Sequence, residues 1–207
     1  MMIGIVDSGI GTTASVANML HHISVPARVS AHPTDLDGFS HLILPGVGHF
    51  TEGARRLSEG GWRDPVRDFA QSGRPVLGIC LGMQLLGEGS DEGEGEGLGL
   101  LPFRLEKLRP GSGMSVPHMG WNTVEALGAD LPLLETSELA RYYFVHSYGV
   151  PADSVVARGT TTYGVPFASV VGHKNVLGVQ FHPEKSHRFG MTLLRNFSQV
   201  DAWLSLD

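Results

Sequence analysis

The chain has a single cysteine, Cys80, among 207 residues. One thiol excludes an intramolecular disulfide framework and any cysteine-rich metal cluster, and it suits a reducing compartment, so the cytoplasm is the expected location. Long apolar runs are missing as well. No stretch approaches the roughly 18 residues needed to cross a bilayer, and Met1 to Asp7 has no basic leader ahead of an apolar segment. A protein neither exported nor anchored is expected. Positive charge is in short supply: 15 Lys and Arg stand against 21 Asp and Glu, a formal charge of -6. That balance gives no electrostatic reason to bind nucleic acid or an anionic membrane. No group of His, Cys and Asp has ligand spacing, so neither a metal nor a cofactor is expected.

What is present suffices for one well-cored domain, read here as spanning 1–207, in which short apolar runs alternate with amphipathic stretches. Ile3 to Val6 ends at the turn Asp7-Ser8-Gly9-Ile10-Gly11 and leads into a helix pattern from Ala14 to His22. The glycine spacing is not that of a P-loop and no Lys-Ser/Thr pair follows, so the turn reads as a connection rather than a phosphate cradle. Ala27 to Ala31 and Leu42 to Leu44 are further short runs. The second stops at Pro45-Gly46-Val47-Gly48-His49-Phe50, where two glycines free the peptide planes around Val47. A helix from Asp64 to Ser72, with Pro65 at its start and Gly73 at its stop, leads into the run Val76 to Cys80. This alternation predicts an α/β fold with a doubly wound, mostly parallel sheet flanked by helices.

The second half reads differently. Gly87 to Gly97 alternates Gly with acidic residues; it cannot bury enough apolar area to offset the cost of ordering, so a mobile surface loop is expected. It lacks the Asp/Asn spacing of an EF-hand calcium loop. From Leu98 to Val124 come short runs and turns, and strands are predicted over Arg141 to Tyr148, Val155 to Thr162, Phe167 to Val171 and Val176 to Phe181. These form a smaller β-layer inserted after the helix that follows Cys80. Phe189, Leu193, Phe197, Val200 and Leu204 recur at spacings of three and four, one apolar face of a closing helix.

Two places carry chemistry. In Val76-Leu77-Gly78-Ile79-Cys80-Leu81-Gly82-Met83-Gln84 an apolar run ends at Cys80 and passes through Gly82 into a helix-compatible segment, which puts the thiol on a strand-to-helix turn. A free thiol with a pKa of about 8.5 is only a few per cent thiolate at neutral pH, and a helix N-terminus or a cationic His lowers that value. On these nine residues alone, Cys80 is either a nucleophile or a small core residue. The second place is the end of the last strand, His182-Pro183-Glu184-Lys185-Ser186. A His stiffened by Pro183, with a carboxylate two residues on, is the arrangement of a base and its orienting partner. A solvated turn with a Glu184–Lys185 ion pair is the alternative.

The segments Gly78-Ile79-Cys80-Leu81-Gly82-Met83-Gln84, Pro117-His118-Met119-Gly120-Trp121-Asn122 and Gln180-Phe181-His182-Pro183-Glu184-Lys185-Ser186 together resemble the class I, triad-type glutamine amidotransferases. Met83 and the surroundings of Trp121 are similar to the branch that serves as glutaminase subunits of imidazole glycerol phosphate synthase. The resemblance implies a flavodoxin-like scaffold and hydrolysis of L-glutamine by Cys80, His182 and Glu184. It implies an oxyanion hole formed by the N–H groups of Leu81 and Val47. Gly48, Gln84, Glu92 and the backbone of His146, Ser147 and Tyr148 match positions that hold the amino-acid end of glutamine. Thr12, Trp121, Asn122 and Lys185 match positions facing a (β/α)8-barrel cyclase subunit, so a heterodimer is expected. Relatives usually carry Asn where this chain has Thr12. Two alternatives stay open: a glutaminase serving another synthase (aromatic amino acid, purine or pyridoxal phosphate), and a non-catalytic regulatory subunit on the same scaffold.

Overall fold

The computed structural model describes residues 1–128, 133–134 and 140–200. In chain order the elements are β1 (Ile3–Val6), α1 (Thr13–His22), β2 (Ala27–Ser30), β3 (His41–Gly46), α2 (Phe50–Glu59), α3 (Arg63–Gln71), β4 (Val76–Cys80) and α4 (Leu81–Leu85). There follow β5 (Gly89–Ser90), β6 (Arg104–Lys107), β7 (His118–Asn122), β8 (Glu125–Ala126), β9 (Tyr142–His146), β10 (Tyr148–Pro151), β11 (Ala157–Tyr163), β12 (Val165–His173), β13 (Val176–Val179) and α5 (His187–Ser198).

Five strands, β2-β1-β3-β4-β13, pair in parallel. β1, β3, β4 and β13 are buried along their whole length, as expected when helices cover both faces of a parallel sheet. Side chains alternate between the faces. Leu42, Leu44 and Val76 pack with Phe50, Leu57, Val66 and Phe69 of α2 and α3. Ile3, Ile5, Ile43, Leu77 and Ile79 pack with Val16 and Leu20 of α1 and with Leu193, Leu194 and Phe197 of α5. Leu204, the last position of the closing apolar face, lies outside the described residues.

The later strands extend this sheet. β12 runs antiparallel to β13, β10 and β11 are antiparallel to β12, β6 joins β10, and β5 pairs in parallel with β6. β7 and β9 form a separate antiparallel ribbon that pairs His118 with His146 and Asn122 with Tyr142. This ribbon is tied to the turn after β13. The His182 N–H donates to the Tyr143 carbonyl at 2.9 Å, and the Tyr143 N–H donates to Ser186 Oγ at 3.0 Å.

Three local outcomes differ from the sequence expectation. The strand predicted over Arg141 to Tyr148 breaks at Ser147: β9 joins the ribbon and β10 joins the main sheet. α2 occupies a stretch with no helix prediction, its sparse apolar face formed by Phe50, Ala54 and Leu57 around Gly53. Finally, Gly87 to Gly97 is held in place rather than loose. Glu88 and Asp91 N–H groups donate to the Phe103 and Leu105 carbonyls, Gly97 donates to Glu88, and the Arg63 guanidinium donates to the Glu96 carbonyl at 2.7 Å. The partners of its backbone come from Phe103, from Leu105 of β6 and from the Arg63 side chain of α3, which local composition does not reveal.

Candidate active site

Parallel register brings the site together. Gly46 of β3 lies opposite Cys80 of β4, and Ile79 lies opposite Val179 of β13. The chain therefore leaves three adjacent strands at one edge, at Val47, at Cys80 and at Gln180 to His182. In open α/β sheets the crevice outside the strand carboxyl ends is where ligands bind.

Cys80 sits there at φ 53° and ψ -111°, a conformation non-glycine residues rarely adopt, and its side chain is nearly buried. Such a backbone costs about 1–3 kcal/mol and persists only where the surroundings enforce it. Two glycines let them do so. A Cβ on Gly82 would fall on the Leu44 carbonyl, and one on Gly78 would lie 2.6 Å from the Met83 Cα. α4 thus packs directly on β3 and β4, and the Leu81 N–H opens that helix beside the thiol.

His182 Nδ1 lies 2.7 Å from Glu184 Oε1, with both side chains almost fully buried. Since a carboxylate only accepts, Nδ1 carries the proton and Nε2 is the atom left for chemistry. Nε2 is buried without a hydrogen-bond partner of normal length. Burial alone would lower the His182 pKa, but Cys80 and Glu184 outweigh it and raise it to about 9. The ring thus favours the imidazolium that a neighbouring thiolate would need.

Around these groups is a pocket of about 430 Å³. Cys80, His182, Val47, Gly48, Gln84, Glu92, His146, Ser147 and Tyr148 all line it, as do Thr12 and Lys185 from the expected partner face. Glu184 stands behind His182. Trp121 and Asn122 do not line the pocket. Trp121 is 43% exposed on the ribbon, stacked on His187 at 5.3 Å and edge-on to Tyr143. The half-buried Asn122 amide donates to the Thr162 carbonyl at 3.0 Å. A larger cleft of about 620 Å³ lies at the antiparallel end of the sheet, between β6, β10 and β12, away from the thiol.

Two expected roles meet specific partners. The Val47 N–H donates to the Ile10 carbonyl at 2.6 Å, so here it is engaged in the loop after β1. The Glu92 carboxylate accepts the Phe50 N–H at 2.7 Å and thereby caps the start of α2. Sequence reading gave no role to Gln180, whose Nε2 donates to Cys80 Sγ at 3.7 Å, or to the Val145 carbonyl, 4.0 Å from Sγ. The signal for Gln180 is the β4–β13 register, which links positions 100 residues apart.

A cysteine on a strand-to-helix elbow, beside a buried His–Glu pair at the carboxyl edge of a parallel sheet, is the arrangement of a class: the triad-type glutamine amidotransferases. The family model "Glutamine amidotransferase class-I" matches residues 4–200. Solved structures share the architecture: a glutamine amidotransferase superposes with a TM-score of 0.71 at 21% identity, covering 94% of this chain and 96% of that one. The PurLQS structure from Thermotoga maritima gives 0.73 at 19%, covering 95% and 96%. Among curated relatives, the imidazole glycerol phosphate synthase subunit HisH of Desulfitobacterium hafniense (strain DSM 10664 / DCB-2) is 45% identical over 208 residues, covering 100% of this chain and 96% of the relative. HisH of Bdellovibrio bacteriovorus is 44% identical over 206 residues, covering 96% and 100%. The chain belongs to the class I glutamine amidotransferases, in the HisH family.

Proposed function

We propose that the chain hydrolyses L-glutamine to glutamate and ammonia through a thioester on Cys80, and delivers the ammonia to the cyclase subunit of imidazole glycerol phosphate synthase. The observation that carries this reading is Cys80 on its strained elbow beside the buried His182–Glu184 pair. In the first half-reaction the thiol proton rests on His182 Nε2, and the Sγ thiolate attacks the carboxamide carbon. The same proton goes to the leaving nitrogen as ammonia departs. Water then attacks the thioester and gives a proton to His182, which returns it to sulfur as glutamate leaves. Glu184 fixes the tautomer and steadies the imidazolium throughout. Gly48, Gln84, Glu92 and the 146–148 backbone hold the amino-acid end of the substrate.

The Leu81 N–H supplies one oxyanion donor. The second, Val47, joins only when its bond to the Ile10 carbonyl opens. One such donor is worth about 2.7–4 kcal/mol, or roughly 10²- to 10³-fold in rate. Thr12 and Lys185 at the pocket rim, with Trp121 and Asn122 on the ribbon, form the face on which a (β/α)8-barrel partner docks, next to this loop.

The test is glutamate release from glutamine by the chain alone, then with a cyclase subunit and its nucleotide ligand, with Cys80→Ala as control. Stimulation of about 10²-fold or more that vanishes in Cys80→Ala is expected. Equal rates with and without the partner would refute the gating by Val47. No turnover in either condition would refute the glutaminase assignment.

A further inference from the structure

His118 and His146 belong to the ribbon and face each other in the interior, Nδ1 of His118 lying 3.1 Å from Nε2 of His146. Their partners dictate every proton. His146 Nδ1 lies 2.9 Å from the Tyr148 carbonyl, which only accepts, so Nδ1 carries the hydrogen and the neutral ring has its lone pair on Nε2. His118 must then donate from Nδ1, which leaves its own lone pair on Nε2. There the Asn122 amide, 3.4 Å away, is the donor. The Asn122 orientation agrees, because its oxygen accepts the Thr123 N–H and its nitrogen also donates to the Thr162 carbonyl.

The row continues beyond the ribbon. The Tyr148 carbonyl also accepts from Gln84 Nε2 at 3.2 Å, Gln84 Nε2 donates to Gln180 Oε1 at 3.1 Å, and Gln180 Nε2 donates to Cys80 Sγ. Each amide is fixed by its neighbours, so the N–H that reaches sulfur is oriented by a chain beginning at Asn122. A second proton on either imidazole breaks the chain: a charged His118 would set N–H against N–H at Asn122, and a charged His146 would do so at His118. Burial pushes both rings the same way, His118 down to about 4 and His146 down to about 3. Phe144, Tyr163 and Phe167 pack around His118 and offer it no charge.

We propose that His118 is a positioning residue for the thiol: as a neutral Nδ1–H tautomer it anchors His146 and Tyr148, and through Gln84 and Gln180 it aims an N–H that stabilises the Cys80 thiolate. The inference rests on Cys80 being the nucleophile, but its test does not need glutamine turnover. Cys80 is the only thiol in the chain, so its alkylation by iodoacetamide reads one site. The variant His118→Phe keeps the stacked ring and removes the donor, whereas His118→Asn retains an N–H near the Nδ1 position. His118→Phe is expected to raise the apparent thiol pKa read from the pH dependence of alkylation by about half a unit, roughly a threefold slower reaction near neutral pH, and His118→Asn to restore it. An unchanged profile in folded His118→Phe, or a shift that His118→Asn does not relieve, would overturn the proposal. If His118→Phe does not fold, ¹⁵N resonances of the histidines in the unmodified protein decide. Nδ1–H on both His118 and His146 supports the row, and Nε2–H on either overturns it.

Discussion

Cys80 carries its thiol on a backbone outside the common L-residue regions. In most of a strand or helix, replacing Ala by Gly costs about 0.5–1 kcal/mol because Gly loses more freedom on folding. At φ 53° and ψ -111° the order should invert. Cys80→Gly is expected to be more stable than Cys80→Ala by about 1–3 kcal/mol, the size of the strain that glycine does not feel. Urea denaturation of the two variants measures this directly. An Ala variant equal to or more stable than the Gly variant would mean that the elbow is unstrained. Some of this was legible in the sequence: Gly78 and Gly82 mark an elbow, and His182-Pro183-Glu184 marks a His held against a carboxylate. What no local pattern carries is the contact of Gln180 with sulfur or the capture of the Val47 N–H by Ile10, since both depend on how distant segments stack.

At the scale of elements, the strain is set by the seating of α4 on β3. Gly82 has no room for a Cβ against the Leu44 carbonyl, whereas Gly38, at the end of the turn before β3, has nothing within 4 Å of such an atom. Gly82→Ala is therefore expected to lose about 3 kcal/mol or more, at or beyond the upper end of ordinary overpacking, because backbone rather than a flexible side chain must give. Gly38→Ala should stay within about 0.5 kcal/mol. A Gly82→Ala variant as stable as the Gly38 control would refute direct helix-on-strand contact as the reason for that glycine. The parallel strands β1, β3, β4 and β13 were the most legible elements, being short apolar runs buried on both faces. α2 was hidden because only Phe50, Ala54 and Leu57 mark its inner face, around an interior Gly53. The break at Ser147 was hidden for another reason: strand propensity runs through Arg141 to Tyr148, and only the choice of partners, β7 on one side and β12 on the other, divides it.

For the whole molecule, three buried histidines shape stability from opposite sides of neutrality. His118 and His146 are held neutral, with pKa values lowered to about 4 and about 3 by burial. Between those values and the ordinary histidine pKa of about 6.5 the unfolded chain binds protons that the fold refuses, so stability falls as pH drops. Each ring contributes up to about 1.4 kcal/mol per pH unit in that window. His182 acts in the other sense. Its pKa is raised to about 9, because Cys80 and Glu184 overcome the burial that would lower it. The fold binds a proton there that the unfolded chain has released, so this contribution is complete below about pH 6.5 and fades as pH climbs to about 9. Together the three predict greatest stability near pH 6.5, with slopes of opposite sign on either side. The variants separate the two: His182→Asn should flatten the alkaline slope, and His118→Asn should shallow the acid slope and leave the alkaline one. Urea denaturation midpoints from about pH 4.5 to 9 measure both, and an alkaline slope that survives in His182→Asn would show that the raised proton affinity lies elsewhere than in the His182–Glu184 pair.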